Sequence, residues 1–242
     1  DFYSCECRRD VVLARELGMT AKTLPVIPNS GGFDLPSVQR SRTNIKTSQR
    51  RMIMVKGYQH FAGRVLTALA ALERCADIAK NFDIVIFSAS PEAGEYAAQM
   101  RASSPIKSIT LVPHSTHDQM LRMFSMARVY LGVSVSDAIS TAALEAMAMG
   151  AFPIQTDTSC CDEWFDDGIG GYLIPPDNVD TIVARLRSGL TDDRLVDTAA
   201  DVNWRVVQKR LDKRAVKQRV WEFYDELFDS IEPANSRNTA SM

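Results

Sequence analysis

The chain is poor in the residues that hold metals and staple folds. Its five cysteines, Cys5, Cys7, Cys75, Cys160 and Cys161, form no CxxC pair, and its three histidines lie apart from them. Neither a zinc site nor a disulfide framework is indicated, and a reducing, cytoplasmic setting is the expectation. Charge of one sign is also missing. A formal net charge of −2 lacks the basic excess that carries non-specific nucleic-acid binding, so nucleic acid is not an expected partner. No apolar run approaches the roughly 20 residues that span a bilayer. There is no basic-then-apolar leader pattern at the start, and no internal repeat. The chain begins at Asp1 rather than Met, from which a piece of something longer is expected. With 45% hydrophobic and 24% charged residues, what remains is an ordinary globular composition.

Short apolar runs recur at 51–55 (RMIMV), 83–87 (DIVIF), 108–112 (SITLV), 129–133 (VYLGV) and 151–155 (AFPIQ). Continuous rather than alternating apolarity marks strands buried on both faces. The segments between them have helical character: in 61–80, Val65, Leu66, Leu69 and Leu72 recur at i, i+3/i+4 spacing. Such alternation predicts an α/β fold with a doubly wound parallel sheet. Ahead of it, 8–19 has a helical period, and five Pro and Gly residues crowd into 24–36, as in an interdomain linker. After Pro176 a helix is predicted with Asp177 or Asn178 as its cap, and 192–231 reads as helical throughout. Residues 201–219 hold seven Lys or Arg against two Asp, which a solvated helix face explains. The polar stretch 232–242 is expected to be disordered.

In a parallel α/β sheet, ligands bind beyond the carboxyl ends of the strands. The residues after the runs are therefore informative: Lys56-Gly57-Tyr58 with Gly63-Arg64, then PHSTHD (113–118), then Ser134–Ser140, then TDTSCCDEW (156–164). A helix predicted over Thr141–Met149 is Ala, Leu and Met apart from Glu145, and a buried carboxylate needs a polar partner. The segment Ser136–Ser140 precedes that helix, whose free N–H groups together with its dipole suit a phosphate. Lys56 and Arg64 on the facing side would hold the same diphosphate. Glu145, one turn in, is placed to accept hydrogen bonds from a vicinal diol such as a ribose.

Asp137 and Glu145, with seven residues between them and followed by AMAMGAFPI, resemble the acidic motif of the family 4 retaining glycosyltransferases of the GT-B fold (glycosyl transferases group 1). RRMIMVKGYQHFAGR (50–64) resembles that family's phosphate-binding strand and helix, and DEWFDDGIGGYLIPPDNVDTIVARL (162–186) its downstream continuation. The resemblance covers roughly residues 50–190. It implies a transferase moving a sugar from a nucleotide-diphosphate-sugar to an acceptor glycan, lipid or small molecule, with retention, without a metal and without a cofactor. The implied roles are Lys56, Arg64 and Asp137 in catalysis, with Gly57, His114, Ala138, Ile139, Ser140, Glu145 and Glu163 binding the donor, Asp137 at the sugar and Glu145 at the ribose. It further implies an N-terminal-domain remnant and linker at 1–36, a donor-binding domain at 37–190, and helices at 191–231 packing back toward an acceptor domain. A peripheral membrane contact stays open. Where the family has Glu, Asp137 is shorter by one C–C bond, about 1.5 Å. Bland roles stand beside these: a helix cap for Asp137, surface charges for Lys56 and Arg64, capping or surface positions for His114 and His117, structure for Glu163, and packing for Cys160-Cys161 and Met120, Met123 and Met126. A non-catalytic sugar-nucleotide binding module, or a GT-B epimerase or phosphorylase, are the alternative functions.

Overall fold

The computed structural model describes residues 1–28, 30–112 and 115–231. His114 and the tail 232–242 therefore lie outside the described residues. The elements run β1 (Phe2–Tyr3), α1 (Arg8–Glu16), β2 (Lys22–Thr23), α2 (Leu35–Ser41), β3 (Met52–Lys56), α3 (Val65–Arg74), α4 (Ala76–Ala79), β4 (Asp83–Phe87) and α5 (Pro91–Ser103). They continue with β5 (Ile109–Val112), α6 (His117–Met126), β6 (Ala127–Gly132), α7 (Thr141–Met149), β7 (Phe152–Thr156), β8 (Tyr172–Ile174), α8 (Val179–Thr191), α9 (Asp193–Arg210) and α10 (Lys213–Ile231).

The chain divides into two compact units. In the first, residues 1–34 with the described residues from 210 onward, β1 pairs in parallel with β2. There the chain around Phe33 is pinned to the segment between α9 and α10: its N–H donates to the Leu211 carbonyl at 2.6 Å and its own carbonyl accepts from Lys213 at 2.9 Å.

The second unit, residues 35–209, is the doubly wound sheet. Six strands, all parallel, lie in the order β5-β4-β3-β6-β7-β8. The chain winds outward from β3 to β5, returns to the centre at β6 and winds outward the other way, so the order reverses between β3 and β6. Both faces are covered: α3 packs against α5 and α8, and α6 against α7 and α2. Ile53, Val55, Val129 and Leu131 join the core with Val65, Leu69, Leu72 and Leu186. The alternate residue Tyr130 instead meets the rings of Phe87 and Phe124 at 6.4 and 5.7 Å. Residues buried on both faces are what continuous apolar runs produce.

The five predicted strands match β3 to β7 to within two residues at each end. A sixth, β8, was not predicted; its three residues, followed by Pro175-Pro176, are too few to show a period. The helical stretch 61–80 starts at Val65 and divides at Cys75 into α3 and α4, and the stretch 192–231 divides at Leu211-Asp212. The cap of α8 resolves to Asn178, whose side chain accepts from the Thr181 N–H at 3.0 Å.

The carboxyl ends of β3 and β6 at the crevice

The sheet brings the loops after β3 and β6 side by side and locks them together. At its start, the Gly57 N–H donates to the Phe87 carbonyl and its carbonyl accepts from Ser90, both at 2.9 Å. A Cβ at Gly57 would lie 2.6 Å from the Ala89 Cα and 2.7 Å from the Phe87 carbonyl oxygen, so this crossing needs glycine. Across the crevice, the Arg64 N–H donates to the Val133 carbonyl at 3.0 Å and the Val135 N–H to the Ala62 carbonyl at 2.8 Å. Bridges Gln59–Arg64 and Gly63–Ser134 complete the join.

This pairing sets Lys56 against Asp137: the ammonium lies 3.1 Å from Oδ2, with the two side chains 17% and 27% exposed. The ammonium also sits 5.4 Å from the centre of the Tyr58 ring, within cation–π range. The Arg64 guanidinium is spent closer to home, its Nη1 donating to the carbonyls of His60, Phe61 and Gly63 at 2.7, 3.2 and 3.0 Å. Lys56 and Asp137 are thus brought together, whereas one end of Arg64 braces its own loop.

The loop ahead of α7 rests on buried polar groups at the ends of β6 and β7. The Tyr130 hydroxyl donates to Gln155 Oε1 at 3.0 Å and lies 3.4 Å from Ser140 Oγ. Gln155 Nε2 donates to Thr156 Oγ1 at 3.1 Å, which in turn accepts from the Ser134 N–H at 3.2 Å. Thr158 Oγ1 closes the set by donating to the Ser134 carbonyl at 2.7 Å. Burial pushes the Tyr130 phenol well above its usual value, so it stays a neutral hydrogen-bonding group. Ser140, not Asp137, caps α7, its Oγ accepting from the Ala143 N–H at 3.4 Å. The cap alternative for Asp137 is thereby removed. Ile139 is buried, and Ala138 is half-buried between it and Asp137.

The far end of α7 is held as firmly. Gly150 closes the helix at φ 78°, a left-handed position that favours glycine. The carbonyl of Ala148 accepts from Arg42, that of Met149 from Arg50 at 3.1 Å, and that of Gly150 from Thr47 Oγ1 at 2.7 Å. Two cations at the carboxyl end reinforce a dipole whose positive end faces the crevice.

Glu145 lies inside this frame with its side chain 11% exposed, and its partner is His117, whose Nε2 is 2.9 Å from Oε1. Burial pushes the carboxyl up, and the charge and hydrogen bond of His117 pull against that. Sequence reasoning left His117 open. The signal was the T-x-x-Q pattern at 116–119, a capping box that starts α6 at the rim and puts His117 in its first turn. Beside it, at the ends of β3, β4 and β5, a cavity of about 960 Å³ is lined by Tyr58, Phe87, Ser88, Ser90, Leu111 and Met120 among others. Glu163 ends the second of two short 3-10 turns that follow β7, Asp157–Ser159 and Cys161–Glu163. Ser88 and Cys160, which follow β4 and β7, hold φ of 52° and 51°, a strained conformation for non-glycine residues and one that clusters at functional rims.

The second unit's architecture has solved counterparts. A sucrose-phosphate synthase from Thermosynechococcus elongatus superimposes with a TM-score of 0.77 at 18% identity, over 95% of this chain and 59% of that one. HepE of Anabaena, solved with UDP and glucose, gives 0.71 at 14% identity over 92% and 62%. The pneumococcal O-GlcNAc transferase GtfA, solved with UDP and GlcNAc, gives 0.72 at 19% identity over 94% and 45%. The chain therefore spans less than two thirds of the length of each. No curated protein matches it by sequence. The sequence profile of the glycosyl transferases group 1 matches residues 38–203, which hold the whole crevice described above, and the chain belongs to that family.

Proposed function

We propose that this chain is the nucleotide-sugar-binding part of a retaining, metal-independent glycosyltransferase that moves a hexose to an acceptor hydroxyl. The observation that carries the reading is the meeting of Lys56 and Asp137 where strand order reverses, directly ahead of a helix N-terminus with the buried Glu145 one turn in. A diphosphate there would meet the Lys56 ammonium and the amides of Ala138, Ile139 and Ser140. Glu145 would accept from the ribose diol. The adjacent cavity, apolar with serine hydroxyls at its wall, suits a nucleobase next to that ribose.

The chemistry follows from where charge develops. As the bond from the anomeric carbon to the diphosphate breaks, its electron pair leaves on phosphate oxygen. Fixed donors at that oxygen stabilise the transition state by roughly 3 kcal/mol each, by analogy with oxyanion-hole donors. Lys56 is such a donor, and its ion pair with Asp137 holds it in place before the donor arrives. Asp137 is then released to the hydroxyls of the sugar. Acceptor binding and the remaining groups near the anomeric carbon are assigned to a partner domain.

The test is a calorimetric titration of the chain with UDP, GDP and ADP; UDP comes first because two of the similar structures carry it. One of the three should bind saturably. Lys56→Met should weaken that binding by about tenfold or more, the worth of one charge-assisted hydrogen bond. Equal binding by the variant would overturn the diphosphate assignment.

A further inference from the structure

We infer that His117 is a positioning residue for donor binding: its imidazole holds Glu145 ionised and fixes one carboxylate oxygen, leaving the other to accept from a vicinal diol. The inference rests on the nucleotide-binding reading above and adds a residue to it.

The imidazole is not needed where it stands for the sake of α6. The helix start is already satisfied by Thr116 and Gln119: Thr116 Oγ1 accepts from the Gln119 N–H at 3.3 Å, and Gln119 Oε1 accepts from the Thr116 N–H at 2.9 Å. Nor does His117 fill the core, since its side chain is 61% exposed while that of Glu145 is 11% exposed. An exposed side chain held at 2.9 Å from a buried carboxylate gains little fold stability from the contact, because exposed partners are screened and lose rotamer freedom. Its consequence falls on the carboxylate. An ionised carboxylate offers acceptor sites on both oxygens, whereas the protonated acid becomes a donor and loses part of that capacity. A diol needs the first form.

Other groups around α7 do not substitute for the imidazole. β6 brings the neutral phenol of Tyr130, and β7 brings Gln155 and Thr156, which carry no charge. Asp137, in the loop ahead of α7, is paired to Lys56 and adds negative charge. On α6 itself Asp118 and Arg122 are exposed, as is Arg40 on α2, and Arg42 and Arg50 act at the opposite end of α7. Ser115 and Met120, which flank His117 in sequence, line the cavity assigned to the base, so the imidazole stands at the junction of base and ribose.

Two measurements test this. The first titrates UDP into wild type, His117→Ala and His117→Gln between about pH 5.5 and about pH 8.5. Wild type should keep its affinity to lower pH than His117→Ala. The alanine variant should be about tenfold weaker near pH 6 and within about threefold of wild type near pH 8, as loss of a neighbouring opposite charge requires. His117→Gln, which keeps an N–H donor without the charge, should lie between. Superimposable profiles, or the same loss at every pH, would overturn the inference. The second needs no ligand: the side-chain carboxyl carbon resonance of Glu145 should titrate at higher pH in His117→Ala than in wild type, and an unchanged midpoint would overturn it. Failure of wild type to bind any of the three nucleotides, with the carboxyl midpoint shifted as expected, would instead fault the donor-site reading.

Discussion

Replacing Arg50 with Met tests whether α7 is held from its carboxyl end. The Arg50 guanidinium is almost fully buried and donates to the carbonyls of Ile45, Ala127 and Met149 at 3.1, 3.2 and 3.1 Å. Methionine fills the volume of the aliphatic stem but leaves those carbonyls without this donor. A buried polar group left unpaired costs about 1–3 kcal/mol. Part of that is returned, because the guanidinium is itself held charged against its surroundings: burial, and then Arg42, bring its pKa down to about 10. The net expectation is a loss of about 3 kcal/mol, or roughly 6–12 °C in Tm for a unit of this size. Thermal unfolding followed by circular dichroism reads the loss, and calorimetry should find weaker UDP binding although residue 50 lies at the far end of the helix. A change below about 1 kcal/mol, or a stabilised protein, would refute the reasoning.

Glu145→Gln should trade function for stability. Burial holds the folded carboxyl above its ordinary range, so the folded chain takes up that proton more readily than the unfolded one and loses stability as pH rises through the window between the two values. The glutamine variant should accordingly melt higher than wild type near neutral pH, by about 1 kcal/mol, and lose that advantage as pH falls to the ordinary carboxylate range. Melting curves across pH check it, and a variant less stable than wild type at neutral pH would contradict it. Gly57→Ala should cost about 1–3 kcal/mol in urea unfolding, because the added methyl meets backbone on two sides. Neutral behaviour there would mean that the β3 and β4 exits are free to part.

The span of α7 was legible because a serine and a glycine bracket an apolar run, and the strands because burial on both faces leaves no alternation to misread. β8 was not, since three residues carry too little pattern, and neither was the break at Cys75, where the apolar spacing runs on across the division. Lys56 was singled out by the rule that ligands gather at strand ends and Asp137 by the resemblance of its motif, but their contact spans 81 positions and follows only from β3 lying next to β6. Glu145 announced that it needed a partner; that the partner is an imidazole from α6 depends on how α6 and α7 pack. Arg64 shows the opposite limit. A basic residue beside a predicted phosphate site reads the same whether its nitrogens face the crevice or, as with Nη1, satisfy the carbonyls of its own loop.

The most direct measurement of the central claim is a crystal structure of the chain with a bound nucleoside diphosphate. The account predicts the diphosphate at the N-terminus of α7 within hydrogen-bond distance of Lys56, the ribose hydroxyls on Glu145, and the base in the cavity beside Tyr58. A nucleotide seated elsewhere, or one whose ribose leaves Glu145 paired only to His117, would contradict it.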